Sequence, residues 1–196
     1  SDHTVRVWDA ASGSKLQAIL IGISDLVRDV AWSSDGLKLA SCSAKSTKVR
    51  VWDPTNGNEL DRFNHNYPII RFSWSPSESR LAICGNRWIT IWDATSSTSV
   101  WDAERSGSEP SIVLEGHKDF VSDVAWNPDG TMLATSSLDG AIRIWDASSG
   151  RELYMFKVDG DQVMRIAWSP DGSKLASCEE YNTITVWSVP RAGWPE

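Results

Sequence analysis

The chain has 196 residues, 41% of them hydrophobic, with 26 acidic against 19 basic residues, a net charge of -7 and a pI near 5.0. This is the composition of a soluble globular protein of one domain, at most two, long enough to bury a core. No run of about 18 apolar residues and no signal-peptide pattern is found, so neither a membrane span nor an attached leader is expected, and the acidity disfavours a general nucleic-acid surface. Three cysteines and no Asn-x-Ser/Thr site give no disulfide framework, and the expected setting is intracellular, cytoplasmic or nuclear.

The twelve tryptophans direct attention to an internal repeat. In chain order, residues 1–20 carry Val5-Arg6-Val7-Trp8-Asp9, an alternating strand pattern. The segment 21–63 begins a fuller unit: a strand ending Asp29-Val30-Ala31-Trp32, the turn Ser34-Asp35-Gly36, the strand Leu39-Ala40-Ser41-Cys42, then Val49-Arg50-Val51-Trp52-Asp53. Residues 64–114 repeat it with Phe72-Ser73-Trp74, Ser75-Pro76-Ser77-Glu78, Leu81-Ala82-Ile83-Cys84 and Ile89-Thr90-Ile91-Trp92-Asp93. They also hold a polar insertion at 94–110, about eleven residues beyond its counterparts and containing Trp101, before a strand near Ser111 to Leu114. The unit 115–157 carries Asp123-Val124-Ala125-Trp126, Asn127-Pro128-Asp129-Gly130, Leu133-Ala134-Thr135-Ser136 and Ile142-Arg143-Ile144-Trp145-Asp146. The unit 158–189 carries Ile166-Ala167-Trp168, Ser169-Pro170-Asp171-Gly172, Leu175-Ala176-Ser177-Cys178 and Ile184-Thr185-Val186-Trp187-Ser188, followed by a tail, 190–196. Within each unit the first and second Trp lie 18 to 20 residues apart. Pro presets one turn dihedral and Gly accepts positive φ, so the Pro-Asp-Gly runs predict tight hairpins. The three cysteines share one repeat position, which reads as a small packed residue on a strand, with no redox or metal role.

Repeats of four short strands with Trp-Asp closing the third resemble the WD-repeat (WD40) β-propeller family over residues 1 to about 189. The resemblance implies an all-β fold of four-stranded antiparallel blades, lettered a to d outward, with three complete blades and parts of two more. A seven-blade ring would need about 300 residues at this period, so the chain reads as part of a larger propeller; a small closed ring and an assembly of copies are the other readings. The resemblance also implies a structural network of His117, Ser137, Asp139 and Trp145, in which Asp accepts from imidazole, imidazole from hydroxyl and hydroxyl from indole. Other units keep it in part: His65 shares the histidine slot with Ile23 and Asp159, Asn86 and Tyr181 take the Asp slot, and Cys84 takes the hydroxyl slot. A hydrolase reading through His117 and Ser137 is the least supported, since the repeat accounts for both residues.

No cofactor, metal or catalytic motif is present, so the expected class is a non-catalytic scaffold binding a protein or peptide, with no cofactor. The alternative is a sensor or regulatory array of a larger multidomain signalling protein, and self-association or completion by the rest of a parent chain is a further expectation. In the family, partners dock at the mouth of the channel. By register with the strand-a Trp, the mouth positions are Leu26, Arg28, Pro68, Ile70, Phe120, Ser122, Gln162 and Met164, with Leu138 beside the matching turn. The set is more apolar than a solvated rim requires. Trp101 is a candidate anchor in the insertion. The Trp-Asp-x-Arg signature of ubiquitin-ligase receptors is missing, and of the arginines a phosphopeptide reader needs only Arg28 is visible at the mouth.

Overall fold

The computed structural model describes residues 4–20, 26–94, 109–158 and 162–190. These residues form seventeen strands and no helix, in five antiparallel sheets. The first sheet pairs β1 (Thr4–Trp8) with β2 (Lys15–Leu20). The second runs β3 (Val27–Trp32), β4 (Leu39–Ser43), β5 (Lys48–Trp52), β6 (Glu59–Asn64). The third runs β7 (Arg71–Trp74), β8 (Arg80–Gly85), β9 (Trp88–Asp93), β10 (Ile112–Leu114). The fourth runs β11 (Val121–Trp126), β12 (Met132–Ser137), β13 (Ala141–Asp146), β14 (Glu152–Lys157), and the fifth β15 (Val163–Trp168), β16 (Lys174–Glu179), β17 (Ile184–Ser188). Each sheet is laid down in sequence order, so consecutive strands are neighbours joined by hairpins. Three complete blades and parts of two more are the observed content.

The sheets stack face to face, and their core lies between them. Leu81, Ile83 and Phe72 of the third sheet meet Val49, Val51 and Phe63 of the second. Val124, Trp126 and Leu133 of the fourth meet Ile89, Ile91 and Leu114 of the third. Middle strands are therefore covered on both faces: every residue of β4 is buried, and so are all but the first of β8 and β12. Double coverage explains why Leu-Ala-Ser-Cys and its variants show no polar face. It also explains Cys42 and Cys84, which are buried, whereas Cys178 of the fifth sheet is exposed and is not the packed residue its repeat position predicts. All three are free, and burial pushes the Cys42 thiol up to about 12, with the Asp29 carboxylate adding to the effect.

Asp53 and Asp146, each following the second Trp of its unit, have a local task. The Asp53 carboxylate accepts the Thr55 N–H at 2.8 Å, and Asp146 accepts the Ser149 N–H at 2.7 Å, so each caps the turn into the fourth strand. Hydroxyl donation by Ser148 and Ser149 leads the effects that bring Asp146 down to about 2. At the first hairpin of the fourth sheet, Gly130 has φ 77°, and a Cβ there would meet Ser77 Oγ of the neighbouring sheet at 2.0 Å. Both backbone conformation and space require glycine at this position.

The strand-a tryptophans of the fourth and fifth sheets tie each to the sheet before it, whereas the buried Trp74 Nε1 has no such partner. Trp126 Nε1 donates to the Ser73 carbonyl at 3.0 Å, and Trp168 Nε1 to the Ala125 carbonyl at 3.1 Å. Basic side chains at the start of strand b reach the opposite way: Lys38 Nζ donates to the Ala94 carbonyl at 2.8 Å and Arg80 Nη1 to that of Ala147 at 2.6 Å. The fifth sheet exposes what inner sheets bury. Ile142 and Ile144 are 0% exposed, whereas the equivalent Ile184 and Val186 are 74% and 63% exposed.

Candidate functional site

The polar network of the fourth sheet is built on Thr135. Trp145 Nε1 donates to Thr135 Oγ1 at 2.9 Å, that hydroxyl lies 2.8 Å from His117 Nε2, and His117 Nδ1 lies 3.2 Å from Asp139 Oδ2. The order indole, hydroxyl, imidazole, carboxylate is as expected, but Ser137 is not the hydroxyl. The register explains the correction. Trp145 faces Leu133 directly, so its indole reaches the diagonal neighbour two residues along, Thr135, while Ser137 lies four along, about 13 Å away. Ser137 instead donates to the Asp119 carbonyl at 3.2 Å and accepts the Asp139 N–H at 3.0 Å. These bonds hold the turn and do not join Ser137 to His117 in a nucleophile-base pair.

The same diagonal recurs elsewhere. Trp52 Nε1 donates to Ser41 and Trp187 Nε1 to Ser177, each at 2.8 Å. In the third sheet the diagonal residue is Ile83, and Trp92 turns to Thr90 Oγ1 at 2.9 Å, so Ile83 rather than Cys84 occupies the hydroxyl slot. Cys84 is buried, and its thiol is pushed up by that burial and by Asp123. In the fifth sheet Ser177 Oγ donates to the buried Glu179 at 2.5 Å, a carboxylate ending that the sequence reading missed. His65 Nδ1 lies 3.0 Å from the Tyr67 carbonyl, in place of an Asp. Burial holds both His65 and His117 below the ordinary 6.5, with Asp139 opposing the effect at His117. Ile23, Trp101 and Asp159 lie outside the described residues, as does most of the 94–110 insertion.

A second arrangement forms where the first strands begin. The first strands β3, β11 and β15 each carry a bulge against strand b: Val27 faces Ser43 while Asp29 faces Cys42, and the same shift occurs at Val121/Asp123 and Val163/Arg165. The skipped residues are Arg28, Ser122 and Met164, which a bulge re-aims out of the ladder. They converge with Ile70, Phe120, Leu138, Arg71 and Arg165 on a cleft of about 400 Å³ to which four sheets contribute. Phe120 is 50% and Met164 42% exposed. Leu26, Pro68 and Gln162 do not line this cleft. The carbonyls of Leu26 and Gln162 accept from the following turn at Ala44 and Glu180, as that of Phe120 does from Leu138.

Behind the bulge sits a charged row that motif reading did not register. The residue three before each strand-a Trp is Asp29, Arg71, Asp123 and Arg165 in turn, an alternation of sign from sheet to sheet. Asp29 Oδ1 lies 3.3 Å from Arg71 Nη1, and Asp29 Oδ2 accepts the Phe72 N–H at 3.4 Å. Asp123 repeats the contact with Arg165 at 3.9 Å and the Ile166 N–H at 3.1 Å. The bulged residue completes the junction: Arg28 Nη1 donates to the Ile69 carbonyl at 3.4 Å, and Ser122 Oγ to that of Val163 at 2.5 Å. Burial is the leading influence on both carboxyls and raises them above the ordinary carboxylate value, with Arg71 pulling Asp29 back. The alternation in the strand-a slot was the available signal for Arg71 and Arg165.

Successive four-stranded sheets, tied by strand-a indoles and opening a cleft where those strands start, define blades of a β-propeller. Residues 14–53, 57–93, 108–146 and 150–188 match the WD domain, G-beta repeat, and the chain belongs to that family. It is 30% identical over 160 residues to nuclear distribution protein PAC1 of Arthroderma otae, covering 75% of this chain and 32% of that protein. It is 31% identical over 142 residues to small ribosomal subunit protein RACK1 of Brassica napus, covering 68% and 43%. The Drosophila melanogaster RACK1 is 29% identical over 147 residues, covering 75% and 45%. The chain thus spans between about a third and under a half of the length of these relatives.

Proposed function

We propose that the chain is a non-catalytic interaction scaffold that takes a protein or peptide in the cleft between the starts of β3, β7, β11 and β15. The observation that carries this reading is the convergence of bulged residues from separate sheets on one concavity with Phe120 and Met164 half exposed in it. A rigid frame with exposed aromatic and thioether side chains at a cleft is the usual composition of an interaction hot spot. Membership of a family that includes a ribosomal-subunit protein and a nuclear-distribution protein is in keeping with it. No residue has a catalytic role in this reading: His117 and Asp139 serve the blade, and Ser137 serves a turn.

The test is quantitative affinity capture from cell extract, comparing wild type with Phe120→Ala and Met164→Ala. Partners should be lost from both variants while the melting temperature stays within about 1–2 °C, as expected for exposed side chains. Loss only on deletion of residues 94–109 would move the site to the insertion and to Trp101. A second reading is a sensor or regulatory array within a larger signalling protein. The outer face at Ile184 and Val186, exposed where its counterparts are buried, favours further sheets from the same parent.

A further inference from the structure

The charged side chains lining the cleft are Arg28, Arg71 and Arg165; among the described residues no aspartate or glutamate lines it. This stands out in a chain of net charge -7. The nearest carboxylates of the row, Asp29 and Asp123, are set back from the opening, with side chains 19% and 13% exposed. Each is engaged by backbone N–H groups, Asp29 by Val30 and Phe72 and Asp123 by Val124 and Ile166. Among the described residues, the three guanidinium groups and these two carboxylates leave a net charge of +1 at the cleft. The three arginines are not equally committed. Arg71 is 23% exposed with its ion pair at 3.3 Å, whereas Arg165 is 51% exposed with its pair at 3.9 Å. Of the two arginines in the row Arg165 therefore has the freer guanidinium, while Arg28 is turned to the Ile69 carbonyl at 3.4 Å, and Met164 beside Arg165 and Phe120 across the cleft are apolar and open.

We infer that the cleft selects a peptide segment carrying one carboxylate side chain next to a large apolar one, with the carboxylate on Arg165 and the apolar group against Phe120 and Met164. The inference rests on the cleft being the docking site and adds the chemistry of the ligand. A guanidinium binds a carboxylate with paired charge-assisted hydrogen bonds, and its value rises when neighbouring apolar groups exclude water. A net charge of +1 among the described residues matches a carboxylate better than a phosphoryl dianion. Opposite charge also sets specificity, because a basic segment would meet like charge in the cleft.

The probe is a set of synthetic peptides acetyl-Gly-Ser-Leu-X-Phe-Gly-Ser-amide with X as Glu, Gln, Lys or phosphoserine, titrated by fluorescence anisotropy. The Glu peptide should bind at least about tenfold tighter than Gln, with Lys weaker still, as expected for a charge-assisted pair. Arg165→Glu should invert the order so that Lys exceeds Glu, while Arg151→Glu, on an exposed turn away from the cleft, should leave it unchanged. Equal binding of Glu, Gln and Lys peptides, all lost in Phe120→Ala, would overturn the charge inference and leave the docking reading standing. A Glu preference indifferent to both Phe120→Ala and Arg165→Glu would overturn both. Phosphoserine binding about tenfold tighter than Glu would overturn the assignment to a single carboxylate, and binding by no peptide would overturn the inference outright.

Discussion

Asp123 of β11 and Arg165 of β15 face each other across neighbouring sheets at 3.9 Å, and the same carboxylate accepts the Ile166 N–H at 3.1 Å. The backbone bond recurs at the earlier junction, where Asp29 makes it to Phe72, and both carboxylates are largely buried. Asp123→Ala should leave that N–H without its acceptor and cost about 2–3 kcal/mol in chemical denaturation. Asp123→Asn, which keeps an acceptor oxygen, should cost less than half as much. Equal losses would mean that the ion pair, rather than the backbone bond, carries the junction.

Thr135 accepts from Trp145 and meets His117. Removing its hydroxyl in Thr135→Val leaves two buried nitrogens without a partner, for an expected loss of about 2–4 kcal/mol. Thr135→Ser retains both bonds and should lose about 1 kcal/mol or less. Similar values for the two variants would contradict the hydroxyl's place in the network.

His117 is held below 6.5 by burial, and His65 is displaced in the same direction. A histidine kept neutral by the fold binds fewer protons folded than unfolded. Its contribution is therefore complete above pH 6.5 and declines as the pH falls below that value towards the depressed folded one. Denaturant midpoints should drop between about pH 7 and 5. His117→Gln, less stable throughout, should show a shallower drop in that range because, among the described residues, His65 is then the one buried histidine left to titrate. An unchanged slope would contradict the assignment.

Equivalent positions should differ in cost according to what covers them. Ile142 is 0% exposed between sheets, and Ile184, its counterpart in the fifth, is 74% exposed. Ile142→Ala should cost about 2–5 kcal/mol, and Ile184→Ala below about 0.5 kcal/mol. A large loss at Ile184 in the isolated chain would mean that a second copy or another segment already covers that face.

The strand content, the sheet order and the turn glycines were legible in the sequence because two Trp series recur at nearly constant spacing and alternation between them has period two. The hydroxyl of the network was misplaced because the resemblance implied Ser137, two residues before the turn Asp139, and Thr135 stands on the same strand. Turns between strands b and c vary in length, Asn86 with φ 53° making a tighter one, whereas counting from Leu133 on strand b lands on Thr135. Arg28, Ile70, Phe120, Ser122, Leu138 and Met164 were found by register alone. Arg71 and Arg165 were not, because a charged residue inside a strand pattern reads as its solvent face. The bulge beside the row, which lets that slot face a cleft, leaves no mark in composition.

Ligand bound in the cleft must lie against Met164. The chain has three methionines, and Met155, 51% exposed on the outer strand β14, is a control for Met164 at 42%. With methyl-13C-methionine protein titrated with the Glu peptide, the Met164 resonance should shift to saturation while that of Met155 stays in place. A bound peptide that moves Met155 and leaves Met164 unmoved would contradict the cleft as the binding site.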